Sequence, residues 1–168
     1  MVMSQILRLL AIFYFVNGGL LNPLHSLCYK NISWDYILDP IEKMSKNFTP
    51  SCMLQPVPEL CQPQTMLCGG KHLRDGERIV QILNESVLLF KKKNNPLPNI
   101  HKIRLAIFPV LEQLQTHVHH SNNSTVHQCF GKVNHFLASE SNSRCAWEKV
   151  VCLFRKVIMR IQNCDWGC

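Results

Sequence analysis

Apolar side chains recur at intervals of three and four residues over most of the chain, a spacing that predicts helices. Five segments carry this pattern: residues 33–48, 73–93, 103–118, 126–137 and 145–163. The third segment shows it most clearly, although it contains Pro109. No stretch of useful length alternates apolar and polar residues, and no internal repeat is present. The pattern therefore predicts an all-α fold of five helices.

Prolines mark the first predicted helix and the connection that follows it. Pro40 should kink this helix or mark a late start, because a proline ring clashes with the preceding turn. Residues 49–70 contain four prolines and a Gly-Gly pair, too many breakers for a helix or a central strand. A connection of this length is usually functional or held by disulfides. It also permits two neighbouring helices to run parallel.

The first 27 residues have the composition of a secretory signal peptide. Arg8 precedes an apolar run from Leu9 to Val16, and cleavage is expected after Ser26 or Leu27. The run is too short to span a bilayer, which takes about 20 residues. We therefore expect a signal peptide at residues 1–27 and one soluble, secreted domain at residues 28–168.

The cysteines and glycosylation sequons agree with an oxidising, secretory route. All nine cysteines lie at or after Cys28, and Cys61 and Cys68 could close a small loop of their own. An odd number of cysteines leaves at least one thiol unpaired or intermolecular. Five Asn-x-Ser/Thr sequons begin at Asn31, Asn47, Asn84, Asn122 and Asn123. The last two overlap, so we expect only one of them to be modified, and Pro50 weakens the Asn47 site.

The chain is basic, with seventeen Lys and Arg against eleven Asp and Glu once Arg8 is removed, a net charge of +6. Such an excess is compatible with nucleic acid or an anionic membrane as a partner. The only dense basic run, Lys91-Lys92-Lys93, lies at the end of a predicted helix, where basic residues are favoured. We interpret it as a solvated helix end and predict neither nucleic-acid binding nor membrane insertion.

A group of histidines and one cysteine could be interpreted as a metal site: His117, His119, His120, His127 and Cys129. These residues surround a loop with two sequons, and an oxidising compartment competes for the thiol. A solvated polar turn is therefore the better interpretation. The sequence has no zinc-protease, nucleophile-elbow or phosphate-binding motif. We predict no enzymatic activity, no metal and no cofactor.

Four residues at the start of the last predicted helix carry a family resemblance. Cys145-Ala146-Trp147-Glu148 resembles the hallmark of the type I interferons, which are secreted antiviral cytokines. The similarity continues over the mature chain at Cys28, Met44 with Cys52 eight residues later, Leu88 to Phe90, Leu111 to Leu114, and Phe136-Leu137 seven residues before Cys145. The sequence resembles a non-mammalian vertebrate member, and Trp34 makes the kappa-like branch one option.

The resemblance implies a five-helix cytokine bundle with a long first crossover loop. It pairs Cys52 with Cys145, which holds this loop to the last helix. The Pro-Glu-Leu-Cys sequence at Cys61 resembles the bird form of the loop, so Cys61 is an alternative partner. The family's cysteine near the end of the third helix is missing here. Cys28 therefore has to stay free or pair elsewhere, with Cys129, Cys152, Cys164 and Cys168 as candidates.

The resemblance further implies a ligand that bridges two receptor chains of the type I interferon receptor. Receptor binding would activate Janus kinases and STAT factors and so induce antiviral genes. In the family, the tighter chain binds the first helix, the first loop and the last helix, and the weaker chain faces the second, third and fourth helices. Carried over by position, the contacts with the tighter chain come from Met53, Leu54, Val151, Cys152, Arg155 and Lys156.

Two positions of this surface depart from the family pattern. Val151 and Pro56 stand where the family has arginines, and Arg155 and Lys156 are expected to replace their charge. Trp147 is expected in the core. Glu148 is expected to be solvated or to act as a cap. The alternative function is that of a membrane-active or carrier protein, because the chain is also basic, amphipathic and rich in cysteine.

Overall fold

A computed structural model of the chain describes residues 32–54, 72–116, 118 and 124–164. Within these ranges the regular structure is entirely helical, and no strand is present. The helices are α1 (Asp35–Ser45), α2 (Pro50–Leu54), α3 (His72–Phe90), α4 (Ile100–Gln115), α5 (Ser124–Ser139) and α6 (Arg144–Gln162). The prediction of an all-α fold is confirmed for the described residues, and its five segments correspond to α1, α3, α4, α5 and α6.

Prolines have different effects at three positions. Helix α1 begins five residues before Pro40 and continues through it, so Pro40 does not mark a late start. Helix α4 likewise contains Pro109. Pro50 begins the short helix α2, although the sequence predicted no helix in residues 49–70. This expectation was wrong at its first residues, because the first position of a helix does not need the N–H group that proline lacks.

Helices α3 and α4 each end three residues earlier than predicted, at Phe90 and Gln115. Residues 91–99 connect α3 to α4, and Asn99 adopts the left-handed conformation with φ 64°. The turn between α5 and α6 contains two more left-handed residues, Ser141 and Asn142. The Asn142 N–H donates to the carbonyl of Leu137 at 2.7 Å and so closes the end of α5.

Polar contacts between α1 and α6 show that these helices run in opposite directions. Near the start of α1, Asp35 accepts a hydrogen bond from Gln162 at the end of α6, at 3.5 Å. Further along α1, Glu42 pairs with Arg155 at 3.0 Å. Just after α1, Thr49 bonds to Glu148 at 2.9 Å. The first and last helices are therefore antiparallel neighbours.

Helices α3 and α5 run parallel. Glu85 on α3 contacts His127 on α5, and Lys92, two residues after the end of α3, donates to Asn134 further along α5. The four-residue turn from α5 to α6 makes these packed helices antiparallel. Since α1 is antiparallel to α6, α1 and α3 run in the same direction. This order needs a long connection between them, as the sequence predicts.

The five long helices enclose one hydrophobic core. Each packs mainly against two others, in the cyclic order α1, α4, α3, α5, α6, and α2 packs on α6. Trp34 and Trp147 are the largest of the fully buried side chains. The rings of Phe90 and Phe154 meet edge to face, with centroids 5.2 Å apart. Burial of one such side chain stabilises the fold by about 1.5–3 kcal/mol.

Candidate protein-binding surface

The Cys145-Ala146-Trp147-Glu148 segment forms the first turns of α6 and fixes the site to the core. Ser143 precedes the helix, and its Oγ accepts a hydrogen bond from the N–H of Ala146 at 3.2 Å, as an N-cap does. Trp147 is fully buried. Cys145 forms a disulfide with Cys52 of α2, with the Cα atoms 5.4 Å apart. This is the pairing that the resemblance implies.

Glu148 holds the segment before α2 against α6. Its side chain has no exposed surface and accepts hydrogen bonds from the Thr49 N–H at 2.9 Å and the Thr49 hydroxyl at 3.4 Å. Arg144 donates its Nε to the same carboxylate at 2.9 Å and an Nη to the carbonyl of Asn47 at 3.1 Å. Glu148 is thus a buried cap and not a solvated charge, because the chain before α2 covers it.

Helix α2 presents two apolar side chains beside α6. Cys52 is buried, whereas 39% of Met53 and 88% of Leu54 is exposed. Met53 lies close to α6, since the Cys152 thiol donates to its Sδ at 3.6 Å. The disulfide and the Glu148 hydrogen bonds therefore place Met53 and Leu54 next to the outer face of α6.

Cys152 is a free, half-buried thiol on this face. Burial raises its pKa above the ordinary value for cysteine. Lys156 and Arg155 oppose the rise in pKa through their positive charges, and Glu148 adds to it. The thiol is thus predominantly protonated at neutral pH. It acts as a small, polarisable contact group beside a thioether.

The cationic part of the surface lies one turn beyond Cys152. Arg155 donates to the Glu42 carboxylate of α1 at 3.0 Å, and both side chains keep solvent exposure. Lys156 is exposed. Met53 contacts Cys152, and the charges of Arg155 and Lys156 act on the Cys152 thiol. We call Met53, its exposed neighbour Leu54, Cys152, Arg155 and Lys156 the contact surface, with Glu42 beside Arg155.

Val151 has to be removed from the expected contacts. None of its side chain is exposed, since it packs in the core together with Trp147. The sequence contained the signal for this position, because Val151 follows Trp147 by four residues and lies on the same stripe of α6. Val151 was expected on the surface because the family that the chain resembles has an arginine at this position.

Four residues that the sequence analysis did not assign to binding help to build the contact surface, although Asn47 was selected there as a sequon. Thr49, Asn47 and Arg144 fix the chain before α2, and Glu42 orients Arg155. The four-residue spacing of Arg144 and Glu148 on one helix was a usable signal for an ion pair. The contacts of Thr49, Asn47 and Glu42 are long-range and leave no local pattern in the sequence.

Several expected sites lie wholly or partly outside the described residues. Cys28, Cys61, Cys68 and Cys168 are among them, as are the sequons at Asn31, Asn122 and Asn123. Asn47 is exposed and Asn84 is half-buried. Cys129 and Cys164 are disulfide-bonded. Of the histidine group, the described His127 contacts Glu85 at 3.2 Å.

The described residues contain neither a candidate metal site nor a helix that could cross a membrane. They contain no group of three or more His, Cys, Asp or Glu side chains placed to hold a metal ion. No described helix combines the length and apolar character that crossing a membrane requires. The contact surface offers apolar, thiol and cationic groups side by side, a composition that suits recognition of another protein.

Comparison with known proteins leaves this surface as the main guide to function: no protein-family model, no curated protein and no solved structure matches the chain.

Proposed function

We propose that the protein is a secreted cytokine of the type I interferon kind. It binds two receptor chains at the cell surface and induces antiviral genes through Janus kinases and STAT factors. The contact surface binds the tighter receptor chain, and α3, α4 and α5 face the weaker one. The packing of five long helices around one core supports this proposal.

The observation that carries the proposal is the attachment of α2 to α6. The Cys52–Cys145 disulfide and the buried Glu148 carboxylate fix an exposed apolar pair, Met53 and Leu54, beside Arg155 on another helix. A surface fixed in this way loses little conformational entropy when a partner binds. The parallel order of α1 and α3, joined by a long connection, further supports the proposal because it is a topology of cytokine bundles.

The contact surface is suited to an acidic receptor face. Arg155 and Lys156 lie beside the apolar groups, and a basic rim steers association with an acidic partner. Exposed apolar side chains on α3 and α4, namely Leu88, Leu105 and Phe108, provide separate contact groups on the other side of the bundle. The second receptor chain uses that side.

The test is the induction of antiviral genes in cells of the species of origin. The purified chain should act at subnanomolar concentration, and Arg155→Glu with Lys156→Glu should reduce potency by at least about tenfold. Lys91→Glu with Lys92→Glu is the matched control, because it reverses the same charge at the end of α3. Equal losses in the two variants would overturn the assignment of Arg155 and Lys156 to the binding of the tighter receptor chain.

The same preparation distinguishes a membrane-active protein from a cytokine. A membrane-active protein would release dye from vesicles of anionic lipid at micromolar concentration and would need no receptor. The cytokine should induce genes without lysing cells or vesicles. Vesicle leakage without gene induction would replace the proposal with the membrane-active alternative.

A further inference from the structure

A recessed site separate from the contact surface lies at the end of the bundle where α1 ends and α4 and α6 begin. It is a cleft of about 290 Å³ between the end of α1, the connection into α4 and the first residue of α6. Its lining consists of Pro40, Lys43, Met44, Asn47, Phe48, Leu97, Pro98, Asn99, Lys102 and Arg144. None of the five residues of the contact surface lines the cleft, although Asn47 and Arg144, which fix the chain before α2, also line it.

Among the described residues, the lining of the cleft carries positive charge and no carboxylate. Lys43 approaches Asp39 only at 4.0 Å in an exposed pair, which holds little energy. Lys102 forms no ion pair with any described residue. Arg144 is already engaged by Glu148. The two lysines therefore retain charge for an anionic ligand.

The start of α4 adds to the positive potential of the cleft. Asn99 lines the cleft and precedes the helix, and its side chain makes no capping hydrogen bond. The first turn of α4 contains no acidic residue. Helix N-termini carry partial positive charge and attract anions.

Positive charge continues beyond the cleft. Lys46 is exposed at the end of α1, and Lys91, Lys92 and Lys93 are exposed at the start of the connection whose last residues line the cleft. A single small anion would use only the cleft lysines. A ligand with repeated anionic groups would also use this surrounding charge.

We propose that the cleft binds sulfate groups of a sulfated polysaccharide. The choice of an extracellular polymer rests on the proposed function, which places the protein outside the cell. Nucleic acid fits the cleft less well, because single strands are bound by aromatic platforms as well as by charge. Of the lining residues that the structure describes, Phe48 alone is aromatic, and it is half-buried.

The test is titration of the purified chain with a heparin hexasaccharide at about 0.15 M salt, where only close charges interact strongly. Lys43→Gln with Lys102→Gln should weaken binding on the order of tenfold. The matched control is Lys132→Gln with Arg160→Gln, which removes the same charge from exposed positions on α5 and α6. The control should change affinity by less than about twofold, and equal losses would overturn the proposal.

Three further titrations identify the ligand class. Desulfated heparin should not bind, and a single-stranded oligonucleotide of matched charge should bind more weakly than the hexasaccharide. If the oligonucleotide binds as tightly and responds to the same variant, nucleic acid is the ligand. The third titration uses inorganic sulfate as a competitor. If sulfate displaces the hexasaccharide and the hexasaccharide binds no more tightly than sulfate, the cleft is a site for small anions only.

Thermal unfolding establishes whether the double variant is folded, and Lys102→Gln alone replaces it if it is not. The titration contains no receptor and no cells. If the unmodified chain induces genes but does not bind the hexasaccharide, only the cleft proposal is overturned. Intact, cleft-dependent binding without gene induction would overturn only the cytokine proposal.

Discussion

The buried carboxylate of Glu148 accepts a hydrogen bond from the backbone N–H of Thr49 at 2.9 Å, across 99 residues of chain. Arg144 donates to the same carboxylate at 2.9 Å. These contacts hold the residue before α2 to the start of α6. The position of the exposed pair Met53 and Leu54 therefore depends on this buried side chain as well as on the Cys52–Cys145 disulfide.

Replacement of Glu148 tests this dependence. Glu148→Ala should destabilise the fold by about 1–3 kcal/mol, because it takes the acceptor away from the half-buried Thr49 N–H. Glu148→Gln should cost less, since its amide oxygen still accepts one hydrogen bond. Urea unfolding measures both, with the exposed Glu140→Gln as control. If Glu148→Ala loses no more stability than the control, Thr49 finds another acceptor.

The Cys52–Cys145 disulfide should contribute the largest single stabilisation at this site. The two residues are 93 positions apart, and closing a loop of this length stabilises by roughly 4 kcal/mol in the chain-entropy model. Cys52→Ser with Cys145→Ser should lower the free energy of unfolding by about this amount. Cys152→Ser should change it by less than about 1 kcal/mol, because this thiol is not in a disulfide. Similar losses in both variants would contradict the assignment.

Val151 and Leu54 should respond in opposite ways to truncation. Val151→Ala removes two buried methyl groups and should cost about 2 kcal/mol of stability. Leu54→Ala alters a side chain that is 88% exposed and should leave stability within about 0.5 kcal/mol. It should nevertheless reduce signalling potency by about fivefold if Leu54 is a receptor contact. Unchanged potency would remove Leu54 from the contact surface.

A charge exchange separates two roles of Arg155. The side chain pairs with Glu42, so loss of activity in Arg155→Glu could reflect repulsion between α1 and α6. Combining Arg155→Glu with Glu42→Arg restores the pair, and stability should return to within about 1 kcal/mol of the original. Potency should stay low, because the positive charge no longer lies on α6. Recovered potency would mean that Arg155 acts only by holding α1.

The Cys152 thiol should react slowly at neutral pH. Burial raises its pKa, so the thiolate that attacks iodoacetamide is scarcer than in an unfolded cysteine. Alkylation of the native protein should accelerate as pH rises beyond the ordinary cysteine range. Mass spectrometry measures the rate, with urea-unfolded protein as the reference. Equal rates at pH 8 would show that the thiol is not shielded.

The same raised pKa predicts how stability changes at alkaline pH. The folded state keeps the proton that the unfolded state loses, so the contribution of Cys152 is complete below the pKa of an unfolded cysteine. It is lost as pH rises through the folded pKa. The free energies of unfolding of the native protein and of Cys152→Ser, each measured as a function of pH, should therefore converge or cross as pH rises. Parallel curves would contradict the shift.

Sequence pattern predicted the helices well because burial imposes a regular spacing. Ile103, Ile107 and Leu114 are all fully buried on one side of α4. Pattern failed at Pro50, where a proline begins a helix, because the general rule against proline does not apply to the first turn.

The contact surface was only partly predictable from the sequence. Its exposed members on α2 and α6 came from a family resemblance. Glu148 was expected to be solvated or a cap, because nothing local shows that Thr49 covers it. Arg155 was selected for its charge, but its partner Glu42 lies 113 residues away. The cleft was missed because α1, α4 and α6 each contribute one of its cationic side chains.

The antiparallel contact between α1 and α6 has a consequence for biosynthesis. Ile37 and Ile41 on α1 are covered in part by a helix that ends at Gln162. A ribosome-bound chain that lacks α6 leaves this apolar face without its final neighbour, and contacts between such distant residues form slowly. Newly made chains should therefore depend on chaperones until the last helix has emerged.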